Sequence, residues 1–162
     1  MKKKVSLDWD GGRTAGENAR RHLPPLVRQY FAAGRNAVKE GASPKQLHQF
    51  RLATKRLRYT LELFRPVYGP GLHARLGQLR KVQDLLGSLN DHAVTAARLE
   101  PRARTEPALH SVLDHLQKGA ASRQSEFHQH WQKTFGRPGA EAAWTNYLAR
   151  NAGGRRPKPP AA

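Results

Sequence analysis

Basic side chains recur every three or four residues between positions 48 and 58. On a helical wheel His48, Arg51, Lys55 and Arg58, with Tyr59, fall within an arc of about 100°. Helical positions at this spacing lie about 5–6 Å apart, so these cations could hold successive groups of one polyanion. The spacing therefore predicts an anion-binding face. His48 could donate to the anion when protonated, or it could instead hydrogen-bond within the protein and fix helix packing.

An apolar stripe runs beside these cations on the same helix. With His48 at zero, its members fall between about 160° and 260°: Leu47, Phe50, Thr54, Leu57, Leu61 and Phe64. Cations that border a core stripe are placed at a groove between helices, whereas an ordinary solvated face lies opposite the core. Arg56, at about 80°, points away from the row and is the weaker candidate. The alternative, in which long cationic side chains simply spread into water, stays open.

The charge is concentrated in this part of the chain. Residues 45–81 hold nine Lys and Arg but one acid, Glu62, and so carry +8 of the formal net charge of +17. Like charges on one helix face repel, so the arrangement costs stability unless an anion normally lies there. Further candidate ligands are Arg80 and Lys81 on the next helix and Arg28 on the first. A chain this basic favours phosphate polymers, nucleic acids or acidic surfaces as partners.

Composition excludes several other kinds of chemistry. The chain has no cysteine, which rules out disulfides, Cys-type zinc sites and thiol nucleophiles. Its eight histidines do not assemble three ligands, and its twelve acids include no local pair beside a nucleophile. We therefore expect no metal, no cofactor and no catalytic reaction.

The apolar periodicity predicts an all-α chain, an up-and-down four-helix bundle with short accessory helices. Pro24 and Pro25 suggest a helix start, Ser43 and Pro44 an N-cap and first turn, and Asn90 and Asp91 a cap for a further short helix, while Pro101 and Pro107 bracket a loop. The predicted helices span about 24–40, 44–64, 72–89, 90–99, 109–136 and 140–149. We expect a flexible leader over 1–16, the bundle over 17–136, a short helix over 137–152 packing through Trp144 and Tyr147, and a disordered basic tail over 153–162.

Two motifs in this pattern resemble the CHAD family, the conserved histidine α-helical domain. They are LHQFRLATKRLRY at 47–59 and VQDLLGSLND at 82–91, within a resemblance that covers residues 18 to about 135. The resemblance implies a helical bundle that binds inorganic polyphosphate through a cationic surface, without a known reaction. By position it assigns the motif histidine to His48, the motif cations to Arg51, Lys55, Arg56 and Arg58, and a further contribution to Lys81.

One feature departs from that family. Its members usually contain two four-helix units related by pseudo-twofold symmetry around a basic cavity, and this chain is long enough for one. Either the polymer binds an open face of the single unit, or two chains associate to restore the cavity; we favour the homodimer, because a twofold pair would reproduce the missing half. The rival hypothesis is a protein that binds the backbone of RNA or DNA, which the absence of aromatics among the exposed cations disfavours. With no signal peptide and no apolar membrane span, we expect a cytoplasmic protein associated with polyphosphate granules.

Overall fold

The computed structural model describes residues 9–150, and in that range every regular element is helical. The all-α prediction is therefore confirmed. In chain order the elements are α1 (Ala15–Ala37), α2 (Pro44–Leu63), α3 (Arg65–Tyr68), α4 (Gly71–Ala103), a 3₁₀ turn (Pro107–Leu109), α5 (His110–Thr134) and α6 (Ala140–Arg150). The predicted basic tail lies outside the described residues. Among the described helices, none is long and apolar enough to cross a membrane.

Helix α1 begins earlier than predicted, and the assignment of Pro24 and Pro25 to a helix start is wrong. Both prolines lie inside the helix. The start is set instead by a capping box, in which the Thr14 side chain accepts from the Glu17 amide and the Glu17 carboxylate accepts from the Thr14 amide. Each proline removes one backbone hydrogen bond, and the rest of this long helix persists around them.

Residues just before α1 pack against the helices rather than forming a leader. The Trp9 ring stacks on that of Phe64 at 5.9 Å between centroids. The backbone amide of Asp10 donates to Asn18 Oδ1 at 3.1 Å, and Asn18 Nδ2 donates back to the Asp10 carbonyl at 3.0 Å. Asn18 is fully buried, so these bonds satisfy an amide that would be costly to leave unpaired. Residues 1–8 of the predicted leader lie outside the described part.

Helix α4 is continuous where the sequence suggested two helices. The predicted cap at Asn90 and Asp91 is wrong, because both residues lie inside the helix, as does Pro101. The Asn90 side chain is engaged by His48 of α2 instead of turning back to cap its own backbone. By contrast, the predicted start of α2 is confirmed: Ser43 accepts from the Gln46 amide, and Pro44 occupies the first turn.

The core lies between α1, α2, α4 and α5, where their apolar stripes meet. Its centre is an aromatic cluster around Trp131, whose ring lies 5.5 Å from Phe50 and 4.9 Å from Phe135 between centroids. Gly34 of α1 makes room for this indole, since a Cβ at Gly34 would come within 1.8 Å of Trp131 Cη2. The packing of the Trp131 indole against the backbone of α1 therefore depends on a residue without a side chain.

Helix α6 packs along α1: its first turn lies beside Arg35 near the end of α1, and its last turn contacts α3. Trp144 and Leu148 are buried, and Tyr68 donates its hydroxyl to the Leu148 carbonyl at 2.7 Å. The guanidinium of Arg75 lies 3.7 Å from the ring centroid of Tyr147, a cation–π contact that joins α4 to α6. The expected packing of this helix through Trp144 and Tyr147 is confirmed, and Arg75 serves the fold.

Candidate functional site

Helices α2 and α4 run antiparallel, and three side chains of the basic row on α2 each meet one residue of α4. His48 Nδ1 lies 3.3 Å from Asn90 Oδ1, and Arg58 donates from Nε to Gln83 Oε1 at 2.9 Å. Between these contacts, Arg51 lies over Gly87, where an added Cβ would stand 3.7 Å from Nε. We call this the α2–α4 surface, formed by His48, Arg51, Lys55 and Arg58 of α2 and Arg80, Gln83, Gly87 and Asn90 of α4.

Arg58 is a cation with a fixed position. Besides the bond to Gln83, it forms an ion pair and hydrogen bond with Glu62, and its guanidinium lies 4.3 Å from the Tyr59 ring centroid. Its side chain is only 12% exposed. Three partners therefore hold the group, and Glu62 offsets its charge. Arg58 therefore gives the surface a group in a fixed position, but its charge is already paired.

Arg51 is in the opposite situation. Its Nε is buried and has no hydrogen-bond partner among the described residues, and no described acid pairs with its guanidinium. A buried donor without an acceptor costs free energy. The positive charge of the guanidinium has no acidic partner among the described residues, and an anion that contacts the accessible part of the side chain would offset it. The half-buried side chain lies over Gly87, whose backbone φ is not positive and where an added Cβ would make only an ordinary contact with Nε, so the position calls for a small side chain rather than for glycine itself.

Lys55 and Arg80 extend the surface as exposed cations. Lys55 Nζ lies 5.7 Å from the Tyr59 ring centroid, and Arg80 is one turn before Gln83 on the same side of α4. Within residues 9–150 neither has an acidic partner. Asp84 and Asp91 are exposed at the outer edge of α4, also without an ion pair in that range, and neither caps a helix.

Three of the predicted ligands lie elsewhere. Arg56 points to the other side of α2, where it lines a groove against α1 with Gln29 and Tyr30. Arg28 is two turns before Arg35, on the side of α1 where Arg35 pairs with Glu141 of α6 at 2.6 Å.

Lys81 is the third. It faces α5, beside His130, whose ring nitrogen Nε2 lies 3.3 Å from the Gln78 carbonyl. Burial lowers the pKa of His130, and the positive charge of Lys81 lowers it further. Lys81 and Gln83 are two residues apart and so point to nearly opposite sides of α4. The structure therefore brings Arg80, but not its neighbour Lys81, to the α2–α4 surface.

Gln83, Gly87 and Asn90 were not among the predicted site residues. They lie at positions i, i+4 and i+7 of α4, the spacing of one helix face, within the motif at 82–91. That spacing could have revealed these residues from the sequence, because a Gln and an Asn on one helix face can hold cationic or imidazole groups of a facing helix. Each of the three contacts a member of the basic row.

An aromatic ring also lies among the cations, contrary to expectation. Tyr59 is 45% exposed, between Lys55 and Arg58. The sequence pattern placed Tyr59 after the cations, whereas in the structure its ring lies beside both Lys55 and Arg58. Within residues 9–150 no group of three or more His, Asp or Glu side chains is arranged to hold a metal ion.

The geometry defines an all-α domain in which two antiparallel helices present a cationic surface with incompletely paired donors. A family model described as the CHAD domain matches residues 3–100, more than half of the chain, and the protein belongs to the CHAD family. The match includes both α2 and the facing part of α4, and ends inside α4. No curated protein and no solved structure matches the chain.

Proposed function

We propose that this protein binds inorganic polyphosphate at the α2–α4 surface and does so without catalysing a reaction. The observation that carries the proposal is Arg51, a half-buried cation with an unpaired Nε and no described acidic partner, set in a row with His48, Lys55 and Arg58. Membership of the CHAD family supports the same ligand.

Polyphosphate suits this surface because it carries charge on every repeat and has no bases. Such a ligand needs several guanidinium and ammonium groups in a row and little shape-specific recognition. Arg58, fixed by Gln83 and Glu62, would orient one phosphate, while Arg51 and Lys55 supply charge that the described residues leave unpaired. Ligand binding would then relieve repulsion within the row as well as form new contacts.

His48 would take part in a pH-dependent way. With Nδ1 donating to Asn90, a neutral imidazole presents only an acceptor at Nε2, which a phosphate oxygen would repel. Protonation converts Nε2 into a donor. We therefore assign His48 both a packing contact with α4 and, when it is charged, a contact with the anion.

A second candidate function is binding to the backbone of RNA, favoured by one observation. The exposed Tyr59 ring lies between two cations, an arrangement on which an unpaired base could stack. Polyphosphate offers nothing to stack on that ring. The two ligands therefore differ in what Tyr59 would contribute.

Competition at one fixed salt concentration separates these functions. The full chain is bound to fluorescent long-chain polyphosphate and challenged with equal phosphate concentrations of unlabelled polyphosphate, structured RNA and duplex DNA. We expect polyphosphate to compete at least about tenfold better than either nucleic acid, and Tyr59→Leu to leave this order unchanged. Retention of RNA in the presence of excess polyphosphate, lost on Tyr59→Leu, would reverse the assignment.

A further inference from the structure

The basic row on α2 ends with an acid. Glu62 follows Arg58 by four residues, and the wheel places it within about 40° of each Arg and Lys of that row. It is the one acidic residue in the basic stretch 45–81 of the sequence. The carboxylate therefore lies in line with the cations that a polyanion would contact.

Helix stability does not account for an acid at this position. Glu62 is the second-last residue of α2, and the partial negative charge at the C-terminal end of a helix disfavours a negative side chain in the last turn. An arginine four residues before a glutamate is also the weaker order for a helical ion pair. The pairing of Glu62 with Arg58 therefore has to be explained by something other than the helix itself.

The position of Arg58 does not depend on Glu62 alone. Gln83 accepts from Arg58 Nε at 2.9 Å, and the guanidinium lies 4.3 Å from the Tyr59 ring centroid. The Arg58 side chain is 12% exposed, so packing restricts it as well. What Glu62 adds to these contacts is negative charge, through an ion pair between its Oε1 and Arg58 Nη1.

An anion that reaches this end of the row meets the Glu62 carboxylate. Phosphate and carboxylate oxygens accept the same kind of charge-assisted hydrogen bond from a guanidinium, so the two groups compete for Arg58. The Glu62 side chain is 34% exposed and can turn into solvent, while Gln83 and Tyr59 still hold Arg58. A phosphate oxygen can then take the place of the carboxylate at Arg58 Nη1.

We propose that Glu62 is an internal competitor for the anion and limits the affinity of the α2–α4 surface. In the free protein its carboxylate pairs with Arg58; on binding, a phosphate of the polymer replaces the carboxylate, which moves into solvent. Arg51 and Lys55, which have no described acidic partner, attract the polymer from the start, whereas Arg58 contributes only after this exchange. This role of Glu62 rests on the proposed function.

Glu62→Gln isolates the charge, because glutamine can still accept from Arg58 and suits a helix about as well as glutamate does. In fluorescence anisotropy with labelled long-chain polyphosphate at one salt concentration, we expect this variant of the full chain to bind about fivefold more tightly. The matched control is Asp84→Asn, one turn after Arg80 at the edge of the same surface, where Asp84 has no ion pair among the described residues. It should change the affinity less than about twofold.

A double-variant cycle separates competition at Arg58 from general attraction. Glu62→Gln should raise the affinity about fivefold when Arg58 is present, but less than about twofold in an Arg58→Gln background, where only the overall charge changes. Equal gains in the two backgrounds would overturn the proposal, and so would a gain no larger than that of Asp84→Asn. Weaker binding by Glu62→Gln would also overturn it, because the carboxylate would then serve to position Arg58.

Failure of the proposed function gives a different result. If polyphosphate does not bind at the α2–α4 surface, Arg51→Gln and Arg56→Gln should lose affinity equally, since each removes one charge from α2. If polyphosphate binds there but Glu62 does not compete with it, Arg51→Gln still weakens binding more than Arg56→Gln, while Glu62→Gln gives no gain. The second pattern overturns the role of Glu62 and leaves the site in place.

Discussion

Two arginines of the same helix row differ in what the structure does with them. Arg58 is held by Gln83, Glu62 and the Tyr59 ring, whereas Arg51 lies over a glycine with its Nε unpaired. Neighbouring groups fix the position of Arg58 and offset its charge, whereas the charge of Arg51 has no acidic partner among the described residues. At the residue scale, the affinity for an anion should therefore depend more on Arg51 than on Arg58.

Gly87 is the residue on which the placement of Arg51 depends. Replacing it with leucine would fill the space under the guanidinium and displace it, so we expect Gly87→Leu to bind labelled polyphosphate about tenfold more weakly in fluorescence anisotropy. The helix should remain intact, since leucine favours helix more than glycine does.

Gly87→Ala is the matched control. An alanine Cβ would stand 3.7 Å from Arg51 Nε, an ordinary van der Waals contact, so binding should be unchanged. Equal affinity of the Leu and Ala variants would contradict the role given to this contact.

Sequence periodicity identified the basic row on α2 because all its members belong to one helix. It also separated Arg56 from that row, because a helical wheel places Arg56 about 80° from His48, on the side away from the other cations. It could not separate Arg80 from Lys81, because the rotation of α4 about its axis is set by packing against both α2 and α5. The family motif offered the missing information, in the spacing of Gln83, Gly87 and Asn90.

At the scale of elements, prolines and the Asn90–Asp91 pair misled the placement of helix ends. Pro24, Pro25 and Pro101 all lie within helices. Each proline costs its helix one backbone hydrogen bond, and tertiary packing stabilises the remaining turns. The caps at Thr14 and Ser43 were the stronger local signals, with a Glu or Gln three residues later in each case. Only the second of these was read from the sequence.

The contact of α1 with α5 gives a prediction for stability. A Cβ at Gly34 would overlap the Trp131 ring, which is enclosed by other aromatic side chains and cannot easily move. We expect Gly34→Ala to lower the free energy of unfolding by about 1–3 kcal/mol in urea denaturation. Gly77→Ala should instead raise the free energy of unfolding by about 0.5–1 kcal/mol, since nothing lies within 4 Å of a Cβ added at Gly77. Equal stability of the two variants would show that the Trp131 ring does not pack so closely against Gly34.

For the whole molecule, the net charge of +17 combines two contributions with different consequences. Charge spread over the surface and the chain ends attracts any polyanion and is weakened by salt. The α2–α4 surface instead holds cations in defined positions. Composition alone predicts the first contribution, whereas the second needed the family motifs and the packing of two helices to become visible.

The most direct test compares Arg51→Gln with Arg56→Gln. Both variants remove one positive charge from α2, so long-range attraction falls equally in the two, but only Arg51 lies on the α2–α4 surface. In polyphosphate titrations at one salt concentration, we predict that Arg51→Gln weakens binding about tenfold and Arg56→Gln less than about twofold. Equal losses in the two variants would contradict a defined site and leave only diffuse attraction between a basic protein and a polyanion.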